Sequence, residues 1–131
     1  MLVSFDFDDT LLLGTEANPL MVEALRRHAA AGDTVIIVTS RNRHHDRRSW
    51  IKKYAPDRIS VRAFVEIYEL PVAEIHFTNH RLKGPKLLEL KVLLHYDNDP
   101  LEIQSCEDQG VHGILHIYPN ESSPPATARP G

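Results

Sequence analysis

The chain has 131 residues, a formal net charge of −3, one cysteine, 42 % hydrophobic and 25 % charged residues. That is enough for one domain of ordinary size with the balance of a soluble globular protein. It excludes a wholly disordered chain, a disulfide framework and a protein that coats nucleic acid by bulk charge. No apolar run approaches the ~20 residues of a membrane span. MLVSFDFDDTLLLG has no basic n-region, and three carboxylates break its apolar stretch, so a signal peptide is not expected. Cys106 reads as a structural thiol on a helix and suits a reducing, cytoplasmic location.

In chain order, Leu2 to Phe7 reads as a buried strand. Pro19 to Ala31 has helical spacing, with Asn18 as N-cap and proline in the first turn. Gly32-Asp33 breaks the chain before TVIIVT (Thr34 to Thr39), a β-branched run that reads as a second buried strand. Asp46 to Tyr54 and Ser60 to Leu70 read as helices, stopped before Pro56 and Pro71. Ile75 to Thr78 is a short third strand, and Gly84-Pro85 opens a helix over Lys86 to Leu90. Val92 to Tyr96 is a fourth strand, Pro100 to Gln109 a helix ended by Gly110, and Val111 to Tyr118 a fifth strand. Strands alternating with helices predict α/β architecture, a Rossmann-like three-layer sandwich with a five-stranded, mainly parallel sheet. Residues 1–118 form that domain in this reading. The remaining PNESSPPATARPG (119–131) reads as a flexible Pro/Ser-rich tail.

In open parallel sheets the crevice lies at the carboxyl ends of the strands. Four of the five predicted ends are polar: Asp6, Asp8, Asp9 and Thr10; Thr39, Ser40 and Arg41; Thr78, Asn79 and His80, then Lys83; and Asp97, Asn98 and Asp99. Asp6 and Asp8 are two apart, so a continuing strand would point both to one side. Two like charges so close call for a cation between them, and Mg²⁺ suits a site built from oxygen. Lys83 can neutralise a phosphate and Thr39 can donate to it. A carboxylate nucleophile with a second carboxyl as general acid fits the set.

FDFDDTLL (Phe5 to Leu12), VIIVTSR (Val35 to Arg41), Lys83 in RLKGPKLLEL, and LLHYDNDP (Leu93 to Pro100) together resemble, in order, the four motifs of the haloacid dehalogenase (HAD) phosphatase superfamily. The resemblance implies Asp6 as nucleophile and Mg²⁺ ligand, and Asp8 as general acid and base with its backbone carbonyl on the metal. It implies Thr39 holding the transferred phosphoryl group and Lys83 stabilising the charge. Asp97-Asn98-Asp99-Pro100 departs from the commonest Asp-Asp or Gly-Asp form and is similar to the Asp-Asn-Ser-Pro of family phosphatases acting on the polymerase tail. Asp97 and Asn98 are therefore the expected metal residues, with Asp99 behind them. Lys86 is the alternative to Lys83, which is preferred because it precedes the Gly-Pro helix start. Only Leu11 to Asn18 separate the first motif from the first helix, and two helices and a strand fill the space from Thr39 to Lys83. No cap domain fits either gap, and an uncapped site suits large substrates.

Arg41 to Lys53 (RNRHHDRRSWIKK) holds six of the fifteen Lys and Arg and one acid, leaving nine basic against seventeen acidic residues elsewhere. The patch starts at the expected crevice and would draw a polyanion. Trp50 and Tyr54 offer stacking faces, the alternative being a solvated helix with Trp50 packed inward. Ser40, Arg41 and Arg43 are the substrate-binding candidates, Arg41 also matching a Ser-Gly-Arg arrangement in phage-type polynucleotide 3′-phosphatases of the superfamily. His76 and His95 read as satisfied polar core residues, and none of the eight histidines shows a zinc spacing. The leading expectation is a Mg²⁺-dependent phosphomonoesterase acting on a nucleic-acid or nucleotide phosphate end, with no membrane partner. Phosphoproteins and small metabolites rank behind as substrates. A phosphorelay receiver fits poorly, since its acceptor Asp should follow the third strand, and a non-catalytic binding module is disfavoured because every motif residue is present.

Overall fold

The structure, a computed structural model, describes residues 1–117. Tyr118 and the expected tail, 119–131, lie outside the described residues. The elements are β1 (Leu2–Phe5), β2 (Leu12–Leu13), β3 (Glu16–Ala17), α1 (Pro19–Ala30), β4 (Thr34–Thr39), a 3-10 turn (His44–Asp46), α2 (Arg48–Tyr54), α3 (Val61–Ile67), β5 (Glu74–Phe77), α4 (Gly84–Glu89), β6 (Leu94–Asp97), α5 (Pro100–Asp108) and β7 (His112–Leu115).

Five strands form one sheet in the order β5-β4-β1-β6-β7, every neighbouring pair parallel. The architecture is the expected Rossmann-like α/β sandwich. The chain winds from β1 outward through β4 to β5, then returns to lay β6 on the other side of β1. The strand order therefore reverses beside β1, and a crevice opens at the carboxyl ends there.

Alternate side chains of the central strands sort into two cores. Val3, Phe5, Val35 and Ile37 face α1 and α3, meeting Met21, Leu25 and Phe64. Ile36 and Val38 face α4 and α5, meeting Leu87 and Cys106. Cys106 is fully buried on α5, and burial pushes its thiol up to about 12, which leaves it a packing residue. Asn18 caps α1 as expected, its Oδ1 accepting from the Leu20 N–H at 3.1 Å.

Several boundaries differ from expectation for physical reasons. β1 stops at Phe5, because the Phe7 carbonyl turns to accept the N–H groups of Thr10, Leu11 and Leu12 at 3.0–3.2 Å. Asp6 and Asp8 therefore do not share one strand face. The short flap after them is an antiparallel hairpin, β2–β3, turning at Gly14 with φ +61°. The expected helix from Asp46 is interrupted at Arg47 (φ −70°, ψ 141°), which leaves the Asp46 side chain pointing inward. Ser60 is the N-cap of α3, not its first residue, its Oγ accepting from the Ala63 N–H at 3.0 Å. β6 starts two residues later than expected and ends one later, on Asp97. His76, expected in the core, sits on edge strand β5 and meets Glu74 at 3.0 Å.

The α4–α5 contact sets where Lys83 sits. Gly84 opens α4 against Ser105 so closely that a Cβ there would collide with the Ser105 carbonyl oxygen and hydroxyl. Gly84→Ala is expected to cost about 1–3 kcal/mol in urea unfolding. An unchanged midpoint would show that the helices part freely.

Candidate functional site

At the switch point, Asp6 follows β1 and Asp97 ends β6, tied by the Asp6 N–H donating to the Tyr96 carbonyl at 2.8 Å. Lys83 enters between them. Its Nζ donates to Asp6 Oδ1 at 2.7 Å and to Asp97 Oδ2 at 2.6 Å, with the side chain 2 % exposed. The backbone places it there: the Lys83 N–H donates to Glu102 Oε1 at 2.8 Å, and the Gly84 N–H to Ser105 Oγ at 3.0 Å. Lys86 lies on the outer face of α4 and pairs with Glu89. Of the two candidate lysines, Lys83 is the one in the crevice.

These residues line an open crevice of about 340 Å³ with Asp8, Asp9, Ser40 and Asn98. Asp6 forms its floor, where Thr10 Oγ1 donates to Oδ2 at 2.9 Å. Asp8 stands on the rim, its side chain 45 % exposed. Arg41 grips it with a two-pronged fork, Nε to Oδ2 at 2.8 Å and Nη2 to Oδ1 at 2.7 Å. The other side of the guanidinium donates to Asp46 Oδ1 at 2.6 Å and the Ile59 carbonyl at 2.7 Å. Its face covers the Phe7 ring at 4.7 Å. So engaged and 3 % exposed, Arg41 is not placed as the substrate contact expected of it; it orients Asp8. Arg43 also stands away from the crevice, over Phe77 at 5.5 Å. Thr39 lies buried beneath the crevice wall, its Oγ1 accepting from the Arg41 N–H at 3.2 Å, and Ser40 is the hydroxyl residue on the wall itself.

Burial dominates the electrostatics. It pushes Asp6 up to about 7, against the pull of Lys83 and with a push from Asp97. Burial also opposes the charge on Lys83, but the two carboxylates outweigh it and raise its pKa. Asp97 is desolvated too, yet His95 and Lys83 hold it below the usual carboxylate range. Burial lowers His95 and keeps it neutral. Its Nε2 lies 2.8 Å from Asp97 Oδ2 and its Nδ1 2.6 Å from Ser4 Oγ. Beside an ionised Asp97 the ring proton sits on Nε2, and Nδ1 accepts from the serine.

The implied Mg²⁺ can be tested against the donors. The Asn98 amide satisfies its neighbours only with its nitrogen toward Asp6 Oδ2 at 2.8 Å and the Asp8 carbonyl at 3.3 Å. Turned over, it would bring a third oxygen to the same point: one carboxylate, one main-chain carbonyl and one amide, a donor set that suits Mg²⁺ with its remaining positions on water and substrate. Among the described residues, no three His, Cys, Asp or Glu side chains gather as a metal site. Asp97 is less suited to the direct contact expected of it. Its Oδ2 serves Lys83 and His95, and its Oδ1 accepts from the Asp99 N–H at 3.1 Å. Asp99 is the N-cap of α5, its Oδ1 accepting from Leu101 at 2.9 Å.

Asp46, Glu102, Ser4 and the bond from Thr10 to Asp6 complete the site without having been singled out for it. The one available signal was polar residues at otherwise apolar positions: Ser4 within β1, and Glu102 with Ser105 on the buried side of α5.

No family model matches the sequence, and no curated protein matches it. Two solved structures of the Pnkp1/Rnl/Hen1 complex, one described as an RNA repair complex, each contain a chain similar to this one. Both match with a TM-score of 0.65 and 14 % identity, covering 88 % and 90 % of this chain. This chain spans 42 % and 46 % of theirs, less than half their length. The likeness is one of fold. No helix among the described residues is long and apolar enough to cross a membrane.

Two measurements check the geometry. Asp46 accepts from buried Arg41 and from the Val61 N–H at 3.0 Å, so Asp46→Ala is expected to cost about 3 kcal/mol in urea unfolding, while Lys86→Ala stays within about 0.5 kcal/mol. Equal effects would mean that the Arg41 cluster holds nothing together. With Asp6 at about 7, a proton competes with a cation for its carboxylate below neutrality. Calorimetry should find Mg²⁺ bound about tenfold more weakly near about pH 6 than near about pH 8, with proton release on binding. Identical affinities would remove Asp6 from the ligand set.

Proposed function

We propose that the protein is a Mg²⁺-dependent phosphomonoesterase of the HAD type, acting through an aspartyl-phosphate on a nucleic-acid or nucleotide phosphate end. The observation that carries this reading is the buried Asp6–Lys83–Asp97 array at the topological switch point, with Asp8 held at its rim. The basic segment after β4 and the fold shared with chains of an RNA repair complex support the choice of substrate. Asp6, the Asp8 carbonyl and Asn98 would hold Mg²⁺. When bound, the ion would screen the charge between the phosphate and the carboxylates.

Each half of the reaction falls to a named group. An ionised oxygen of Asp6 attacks phosphorus, and the bond from phosphorus to the leaving oxygen breaks. The Asp8 carboxyl gives its proton to that oxygen. In the second half, a water oxygen attacks the phosphorus of the aspartyl-phosphate, Asp8 takes the water proton, and inorganic phosphate leaves with Asp6 restored. Lys83 holds the Asp6 carboxylate in place and faces the charge that gathers on the phosphoryl oxygens. Ser40 on the wall would donate to them. With both oxygens accepting from Arg41, Asp8 is arranged as the base of the second half. To act as acid it must release one prong of the fork.

Turnover of p-nitrophenyl phosphate with Mg²⁺ is the direct test. Wild type is expected to be active and Asp6→Asn to lose about a thousandfold or more. No wild-type turnover, or an active Asp6→Asn, would sink the proposal. Parallel rates on a 3′-phosphorylated oligonucleotide, a mononucleotide and a phosphopeptide rank the substrates, and equal rates would remove the nucleic-acid preference.

A further inference from the structure

Beside the crevice, and distinct from it, lies a second cavity of about 420 Å³. Arg43, Arg47, Arg48 and Arg62 stand around it, and Ile75 and Phe77 contribute apolar surface. Among the described residues none of the four arginines forms an ion pair. The one acid on its wall, Asp46, is already engaged by Arg41 and the Val61 N–H. Four like charges around one hollow repel each other, and an anion is what would make them favourable. Arg43 lies over the Phe77 ring at 5.5 Å, and the rest of the apolar surface, Ile75 with what Arg43 leaves of Phe77, would meet nothing on a bare phosphate but would meet the sugar or base of a nucleotide unit.

One side chain touches a lining residue of each hollow. The Arg41 guanidinium holds Asp8, on the crevice rim, and Asp46, on the wall of the second cavity. Along the same segment His45 stacks on Trp50 at 4.3 Å between centroids, and Trp50 lies 5.1 Å from Tyr54, which is 61 % exposed. Trp50 is therefore packed between two aromatic rings instead of turned into the core. Arginines without an ion pair, three of them on the same segment as surface rings that stack, are the two components of single-strand binding.

We infer that the four-arginine cavity is a second subsite, which binds the backbone phosphate and nucleotide next to the chain end held in the crevice, with His45, Trp50 and Tyr54 carrying the bases further along a single strand. The inference rests on the proposed phosphatase reading only for where the strand ends. The charge around the cavity and the exposed rings favour a nucleic-acid strand over an acidic or phosphorylated peptide, which would satisfy the arginines but leave the rings unused.

The test is binding of a short fluorescent single-stranded oligonucleotide without any terminal phosphate, so that it is independent of turnover. Wild type is expected to bind it and to show quenching of its single tryptophan, Trp50. The exposed pair Arg47→Gln/Arg62→Gln should melt like wild type, bind about tenfold more weakly, and flatten the slope of log K against log salt by about 0.7, the share of the one phosphate held in the cavity. Four results would each overturn the inference: no binding by wild type, no quenching on binding, an unchanged slope in the double variant, or competition by a mononucleotide or a phosphopeptide as effective as that of unlabelled oligonucleotide. Loss of phosphatase turnover with oligonucleotide binding intact would count against the crevice reading alone.

Discussion

The arrangement of the site depends on one buried ammonium. Lys83 is 2 % exposed and lies within 2.7 Å of two carboxylates, Asp6 and Asp97. One cation cannot balance two anions, so the buried group tends toward excess negative charge. The molecule resolves this unequally. Asp97 has a second donor in His95 and stays ionised, whereas Asp6, with Thr10 as its other side-chain donor, is pushed up to about 7. Under the proposed reading, a phosphate entering such a crevice would add more negative charge, which a divalent cation held by oxygen ligands would offset. The same excess explains why the other carboxylate, Asp8, is held outside the buried cluster by its own arginine.

The fold supplies this arrangement through two separate contacts. The sheet fixes Asp6 and Asp97, because β1 and β6 are neighbours in register and Ser4 stands opposite His95 in the ladder. That pairing on the strand face places the imidazole under Asp97, two residues before it. The helices fix Lys83 instead: Glu102 and Ser105 of α5 take the free N–H groups at the start of α4. Lys83 thus meets the carboxylates only if sheet and helix pair are both correctly packed. The lack of a side chain at Gly84 is part of the crevice geometry as much as of the core.

Sequence patterns reveal those features that depend on neighbours in the chain. TVIIVT needs only its β-branched run to be a buried strand, and Asn18-Pro19 needs only local capping chemistry to start a helix. The polar strand ends were visible for the same reason, since each is a short cluster following an apolar run. What was not legible depends on residues far apart. Asp46 looked like the start of a helix, and only the presence of Arg41 and Val61 turns it inward. His95 is satisfied by Ser4, 91 positions away. Arg41 looked like a substrate ligand because its residue type and position suit phosphate, but two carboxylates of this chain reach it first. Asp6 and Asp8 do line one crevice, but the strand was carried two residues too far to explain it, past a carbonyl that gathers three N–H groups.

The formal charge of −3 conceals an uneven division, and Arg41 stands at its boundary. On one side the crevice concentrates carboxylates, and under the proposed function it would take cations to accept a phosphate there. On the other, arginines without counter-charges surround a hollow that needs an anion. A single guanidinium touches both, donating to Asp8 and to Asp46. Under the proposed readings, a strand that fills the second cavity would change the electrostatic surroundings of Asp46 and so of the fork that holds Asp8. Release of one prong is the movement required of Asp8 before it can serve as an acid. Engagement of a polynucleotide and readiness for chemistry would then be coupled through one side chain, and the coupling needs no movement of the domain beyond a change in how that guanidinium shares its five donors.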